Sequence, residues 1–342
     1  MEKIEILSVE LLDRHRPLVE ELKAVARHLQ LEFGWHYLLD LAWILSHLGD
    51  VKGKTILDAG AGTGVLQWYL AAHGATVISV DRTSRADLPW RFRRWTRVKG
   101  LRPTDLNPAL TALLNAGRKG GSLKERLRAM KQVVSGLYRP LSPKPLPQGE
   151  GRPSPPTPIP RGEGRPSPPT PLPWGEGRPS PPTPLPWGEG RNDGEIILYN
   201  QDLSHLSDIA DNSIDAVAAL SALEHNPPDR LPLVIRELMR VLKPGGVLLA
   251  TLGASPDRDW FHEPSKGWCY SEATLRCAFN LSPDAPSNYD RYAELMQALR
   301  ECAELRDNLA SFYFRSGDNG MPWGKWDPQY QSVGVLKVKA HG

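Results

Sequence analysis

The chain reads as an α/β protein built on a mostly parallel sheet covered on both faces. Three observations predict this: buried strands alternate with amphipathic helices, a glycine-rich turn joins the first such strand to the first such helix, and 342 residues are enough for a substantial core. Ahead of the alternation, Leu18, Leu22, Val25 and Leu29 sit at helical spacing, and Tyr37 to Leu48 makes a second helix that stops at Gly49. Residues 1–50 therefore read as an N-terminal helical cap. The period then changes. Lys54 to Gly60 predicts a buried strand, Val65 to His73 a helix closed by Gly74, and Ala75 to Asp81 a second strand. The pattern resumes far downstream, with strands at Ile196 to Asp202 and Ile214 to Leu220, a helix from Arg230 to Leu242 and a strand at Gly246 to Leu252. Helices near Ser271 to Phe279 and Tyr289 to Leu305 follow, and strands at Leu309 to Arg315 and Ser332 to Lys339 predict an antiparallel edge hairpin.

The net charge of +3 averages over unlike segments. From Arg82 to Pro145 there are 16 Lys and Arg against 3 acids, so this stretch carries +13 and the rest of the chain −10. Residues 83–145 read as a basic helical insertion: Ser122-Leu-Lys-Glu125 is a capping-box pattern, and Leu123, Leu127, Met130, Val134 and Leu137 follow at helical spacing. Within it, Trp90 to Lys99 interleaves aromatic and cationic residues. That pattern suits a packed lid first, an anionic membrane or lipid contact second, and nucleic acid least. Residues 146–192 form a proline-rich repeat in which Gly-Glu-Gly-Arg-Pro-Ser-Pro-Pro-Thr-Pro starts at Gly149, Gly162 and Gly175. With no apolar face, this composition predicts disorder with polyproline II character. Near-perfect copying fits a duplicated low-complexity tract better than a selected ligand for proline-binding modules.

Cys269, Cys277 and Cys302 show no metal-ligand spacing and are too few for a disulfide framework. The start, Met1-Glu-Lys-Ile-Glu-Ile, lacks the basic-then-apolar pattern of a signal peptide, and the apolar run Tyr37 to Leu48 is short and contains Asp40. A cytoplasmic protein is the expectation.

The chemistry is carried by Ile56-Leu57-Asp58-Ala59-Gly60-Ala61-Gly62-Thr63-Gly64, which runs from the first predicted strand into its helix. Glycine is needed in such a turn because a Cβ blocks close approach of backbone to ligand. Asp81 ends the next strand, where a carboxylate can receive two ribose hydroxyls. These residues resemble class I S-adenosylmethionine-dependent methyltransferases, whose first motif is an acidic residue followed by GxGxG; a nicotinamide fingerprint is GxGxxG instead. Asp211-Asn-Ser-Ile-Asp215, Leu223-Glu224-His225 and Lys243-Pro-Gly-Gly246 follow in the order of the subgroup labelled methyltransferase type 11. The resemblance covers Lys54 to Asp81 and Glu195 to Leu252.

It implies a Rossmann-like seven-stranded sheet over 51–342, interrupted by the two insertions, and S-adenosyl-L-methionine as cofactor. It further implies that Asp58, Gly60, Ala61, Gly62, Thr63, Gly64 and Asp81 hold the cofactor, that Asp202 bonds the adenine amino group beside Leu203, and that Leu220 to His225 lines cofactor and acceptor. The expected reaction is methyl transfer to a small-molecule acceptor such as a natural product, lipid or sugar. A general base is needed only when the acceptor must lose a proton. His225, His262 and His36 are the candidates, His225 because it stands at the strand end and His262 because its loop is rich in aromatics. Related ubiquinone-pathway O-methyltransferases place an additional Glu three residues before the Glu-His pair; Ser221 stands there, so no metal is assigned. Asn226-Pro-Pro-Asp229 lacks the aromatic residue of base-methylating enzymes and reads as a helix start. Two rival readings are a nicotinamide-dependent oxidoreductase, disfavoured by GxGxG and Asp58, and a non-catalytic cofactor-binding scaffold that recruits partners through the proline tract.

Overall fold

The computed structural model describes residues 2–93, 96–107, 194–310 and 325–341. Ten strands among them join in one sheet: β1 (Lys3–Ile6), β2 (Thr55–Ala59), β3 (Thr76–Asp81), β4 (Arg97–Gly100), β5 (Glu195–Asn200), β6 (Ile214–Leu220), β7 (Leu242–Ala254), β8 (Trp260–His262), β9 (Gly267–Tyr270) and β10 (Gln331–Val338). The main path runs β1-β10-β7-β6-β2-β3-β5-β4, with β8 and β9 attached at the end of β7. From β7 to β4 the pairing is parallel; β10 runs antiparallel to β7, and β1 antiparallel to β10.

The central strands explain the layering. Ile56 and Val77 enter one buried cluster, and their neighbours Leu57 and Ile78 enter the other. Successive side chains on a strand point to opposite faces, so two apolar faces must both be covered. One face receives α1 (Glu10–Arg14), α2 (Arg16–Leu29), α3 (Tyr37–Leu48) and α4 (Val65–Ala72); α2 does so through Val19, Leu22, Val25, Ala26 and Leu29, one side of its helix. A short α5 (Trp90–Arg93) follows β3. The other face receives α6 (Leu231–Val241) and α7 (Glu272–Ala278), and α8 (Tyr292–Glu301) reaches both clusters through Leu295 and Met296 before α9 (Ala303–Asp307).

Four details differ from the expectation. Among the described residues the mostly parallel sheet with its antiparallel edge has ten strands, where seven were expected. Its antiparallel edge is completed by the other end of the chain: Leu309 and Ala310 lie in no strand, residues 311–315 fall outside the described ones, and β1 pairs with β10 from Lys3 opposite Leu336 to Ile6 opposite Val333. Four residues alternating half-buried and buried are too short a signal to read without the partner strand. The helix expected over Tyr289 to Leu305 is a 3-10 turn at Tyr289–Arg291, then α8 and α9, parted where Cys302 adopts an extended ψ of 102°. Lys243-Pro-Gly-Gly246 lies inside β7, with Gly245 at φ +76° and a register shift against β6 between Ile214 and Ala216, so the turn is absorbed as a bulge.

The start of the basic insertion packs on the sheet edge. Phe92 stacks on Trp68 with ring centroids 5.0 Å apart, and β4 lies beside β5 with Arg97 and Lys99 outward and Val98 half-buried. The helix expected at Ser122 to Leu137 and the proline-rich repeat lie outside the described residues. Among the described residues, no helix is long and apolar enough to cross a membrane.

The edge strand depends on one side chain. Asn288 accepts from the Ile6 backbone N–H at 2.6 Å and donates to the Ile6 carbonyl at 3.1 Å, satisfying both groups where the sheet ends. Asn288→Ala is expected to destabilise the protein by about 1–3 kcal/mol. A urea midpoint equal to wild type would show that β1 does not need this clasp.

Candidate functional site

β3 lies on one side of β2 and β6 on the other, so the loops leaving β2 and β6 diverge and a crevice opens beyond their carboxyl ends. The crevice is a cavity of about 520 Å³, within the range of small-ligand sites. The turn predicted from sequence forms its floor: Asp58, Gly60, Ala61, Gly62, Thr63 and Gly64 all line it. Asp81 lines it from the end of β3, Asp202 and Leu203 from beyond β5, and Leu220 and His225 from the end of β6. Leu31, Phe33, Tyr37 and Leu41 close it from the N-terminal segment, a contribution the sequence reading missed because nothing local marks that segment as a wall.

The geometry of the turn shows why these residue types are required. Gly60 has φ +74°, and a Cβ there would lie 2.3 Å from Cβ of Ala222, so the two loops cross without room for a side chain. Gly62, at φ +49°, donates its N–H to Asp81 Oδ2 at 2.8 Å, while Asp81 Oδ1 accepts from the Thr83 N–H at 2.6 Å. Each carboxylate oxygen keeps further lone-pair capacity toward the cavity. Asp202 is held by Ser204, whose N–H and hydroxyl both donate to Oδ1, and these bonds keep its carboxyl below the usual range.

A buried polar layer under the turn escaped the sequence reading. Gln67, 1% exposed, reaches from α4 toward the carbonyls of Ala61, Gly62 and Gly64 at 3.3–3.4 Å and accepts from the Ser79 hydroxyl at 2.7 Å. Arg85, 5% exposed, donates to the carbonyls of Gly62, at 3.2 Å, and Ser79, at 2.6 Å. The signal for Gln67 was a polar residue inside an otherwise apolar helix; Arg85 carried none. Asp58, 2% exposed, sits above this layer. Burial raises its pKa to about 7, the Arg85 charge opposes the rise, and Asp81 adds to it.

The three candidate histidines separate. His225 is exposed at the cavity, with Nδ1 3.0 Å from the Lys266 carbonyl. His262 lines neither this cavity nor its neighbour; it is buried on β8 with Nδ1 2.7 Å from the Ser265 hydroxyl, and burial lowers its pKa. His36 lines a second cavity of about 100 Å³, together with Trp35, Glu224 and Tyr330; Tyr37, Ser221 and His225 line both cavities. Ser221 has φ +45°, a left-handed conformation that costs a non-glycine residue roughly 1–3 kcal/mol, and its hydroxyl donates to Glu224. No cluster of three His, Cys, Asp or Glu suited to a metal occurs among the described residues.

The profile of a methyltransferase domain family, type 11, matches residues 185–250, which carry β5, β6, α6 and most of β7. A tRNA U34 carboxymethyltransferase of Haemophilus influenzae is 30% identical over 100 residues, covering 24% of this chain and 31% of that protein. A ubiquinone biosynthesis O-methyltransferase of Acinetobacter baylyi is 44% identical over 43 residues, covering 13% of this chain and 18% of that one. The matches thus span less than a third of these relatives' length. The structure of a Burkholderia thailandensis 1,6-didemethyltoxoflavin-N1-methyltransferase aligns with a TM-score of 0.36 at 13% identity, over 96% of this chain and 90% of that one.

Two outcomes test the site. Gly60→Ala is expected to cost about 1–3 kcal/mol through the clash with Ala222, readable as a lower melting temperature; an unchanged melt would mean the loops have slack. For Asp58 the folded pKa of about 7 exceeds the ordinary 3.8, so the ionisation penalty is absent below pH 3.8 and grows until about pH 7. The melting temperature of Asp58→Asn relative to wild type should therefore rise between pH 4 and pH 7 and level off above. A difference independent of pH would show that Asp58 is not held against ionisation.

Proposed function

Because the chain carries a class I S-adenosylmethionine-dependent methyltransferase domain of the type 11 kind, we propose that it transfers a methyl group from S-adenosylmethionine to a small-molecule acceptor. The observation that carries this reading is the glycine turn at the divergence of β2 and β6, with Asp81 beside it and a cavity of about 520 Å³ above. The residues fit the cofactor on the chain's own terms. Gly60 and Gly62 keep the floor free of side chains, Asp81 would take the ribose hydroxyls, and Asp202 with Leu203 would border the adenine. Asp58 stands beneath the turn, where a cationic amino group would favour its ionised form.

When bound, the cofactor supplies a methyl carbon made electrophilic by a positively charged sulfur. The chain's own tasks are then to align the acceptor with that carbon, to exclude water and, for a hydroxyl acceptor, to remove a proton. Leu31, Phe33, Tyr37 and Leu41 provide the apolar cover. The nicotinamide alternative is not favoured, because Gly60, Gly62 and Gly64 space as GxGxG. The scaffold alternative leans on the proline tract, which lies outside the described residues.

Thermal unfolding with S-adenosylmethionine, S-adenosylhomocysteine and NADH tests the reading. A ligand at about 100 times its Kd stabilises by about 2.7 kcal/mol, so the two adenosyl compounds should each raise the melting temperature and Asp81→Ala should abolish the shift. A shift with NADH alone would overturn the reading, and binding of the adenosyl compounds without any methylated product across an acceptor panel would favour the scaffold.

A further inference from the structure

The smaller cavity carries groups that cofactor binding does not use. His36 and Asp40, one helical turn apart at the start of α3, are 4% and 0% exposed, and His36 Nδ1 donates to Asp40 Oδ2 at 2.6 Å. With Nδ1 bearing the proton, Nε2 is left as an acceptor, and its contact with the Tyr330 hydroxyl is long, 3.5 Å. Glu224 is 6% exposed; its Oε1 accepts from Ser221, and its Oε2 is buried without a partner, as is Oδ1 of Asp40. A buried carboxylate oxygen left unpaired is costly, and although the hydroxyls of Ser221, Ser265 and Tyr330 belong to residues that line the cavity, none of them donates to Glu224 Oε2. Its walls are aromatic: Trp35 meets His36 edge-on with ring centroids 4.5 Å apart, Tyr37 lies at 5.2 Å and Tyr330 at 5.8 Å.

Resting on the methyltransferase reading, we infer that this cavity seats the reacting edge of a small neutral acceptor bearing two neighbouring hydroxyls, with His36 as general base and Glu224 receiving the second hydroxyl. The acceptor's reacting O–H gives its proton to His36 Nε2, the oxygen's electron pair forms the new carbon–oxygen bond, and the carbon–sulfur bond breaks with its pair left on sulfur. Charge balances: the sulfonium's positive charge ends on the imidazolium, beside Asp40. An amine acceptor would attack through its own lone pair and lose its proton afterwards to water, so a buried His–Asp pair points to a hydroxyl. Size agrees, since an apolar cavity of roughly 150 Å³ holds benzene; about 100 Å³ admits a hydroxyl-bearing edge, and the rest of the acceptor extends past Tyr37, Ser221 and His225, which line both cavities.

The titratable groups around His36 are Asp40 and Tyr37 on its own helix, Glu224 and His225 after β6, and Tyr330 before β10, whose ring lies 5.2 Å from that of His262. Burial alone would push the His36 pKa down; the carboxylates of Asp40 and then Glu224 outweigh it and hold it above the ordinary imidazole value. Burial raises that of Glu224, opposed by His225, by the Ser221 hydrogen bond and by His36.

The test uses 4-nitrocatechol, whose ionisation is visible by its absorbance, with the full-length protein saturated in S-adenosylhomocysteine. Bound probe should ionise at lower pH than free probe, as His36 accepts its proton, and His36→Gln should abolish that shift. The matched 4-nitro-1,2-phenylenediamine should bind at least tenfold more weakly. With S-adenosylmethionine, catechol should be O-methylated, and His36→Gln should lower kcat by about 10²–10⁴ with KM changed less than threefold. Failure of the probe to bind the loaded protein, an unshifted ionisation in wild type, preferential binding of the diamine, or kcat unchanged in His36→Gln would each overturn the inference. The wild-type ionisation shift decides the matter even if the variant does not fold. Absence of S-adenosylhomocysteine binding would instead overturn the methyltransferase reading itself.

Discussion

The structure hangs on the crossing of two loops where the sheet order reverses. The chain leaves β2 at Gly60 and β6 at Ser221-Ala222, and the two backbones approach until a Cβ on Gly60 would sit 2.3 Å from that of Ala222. Both sides adopt positive φ, glycine freely and Ser221 at a cost. Beside this contact stands Ser221, which with Tyr37 and His225 lines both cavities. Everything functional is arranged around it: Asp81 anchoring Gly62 on one side, Ser221 turning its hydroxyl to Glu224 on the other.

Beneath that crossing, charge rather than packing sets the character of the site. Asp81 adds to the raised pKa of buried Asp58 and Arg85 opposes it, and Gln67 and Arg85 satisfy backbone carbonyls that a tight turn leaves without partners. The turn is thus supported from below by side chains of α4, β3 and the segment after it. Its upper surface remains free for a ligand.

The N-terminal segment ties the antiparallel edge of the sheet to the site. β1 completes the antiparallel edge, α2 and α3 cover one face, and the stretch between these helices supplies walls to both cavities. One segment therefore contributes to the core, to the cover of the cofactor crevice and to the His36–Asp40 pair.

Much of this was legible in the residues. The alternation of strands and helices and the GxGxG turn with its flanking acids follow from local pattern, because backbone conformation and strand-end position are set by a few neighbouring residues; Asp202, Leu203, Leu220 and His225 were reached through the resemblance to a known family. The sequence by itself determined the sheet's parallel core and the site at its carboxyl edge. Only the tertiary structure decided that β1 closes the sheet, that His262 stands apart from both cavities, that Arg85 lies under the turn and that His36, bonded to Asp40, shares a cavity with Glu224, 188 positions away in the chain. The physical reason is that burial, pKa and cavity walls arise from contacts between segments distant in sequence, and no local spacing encodes them.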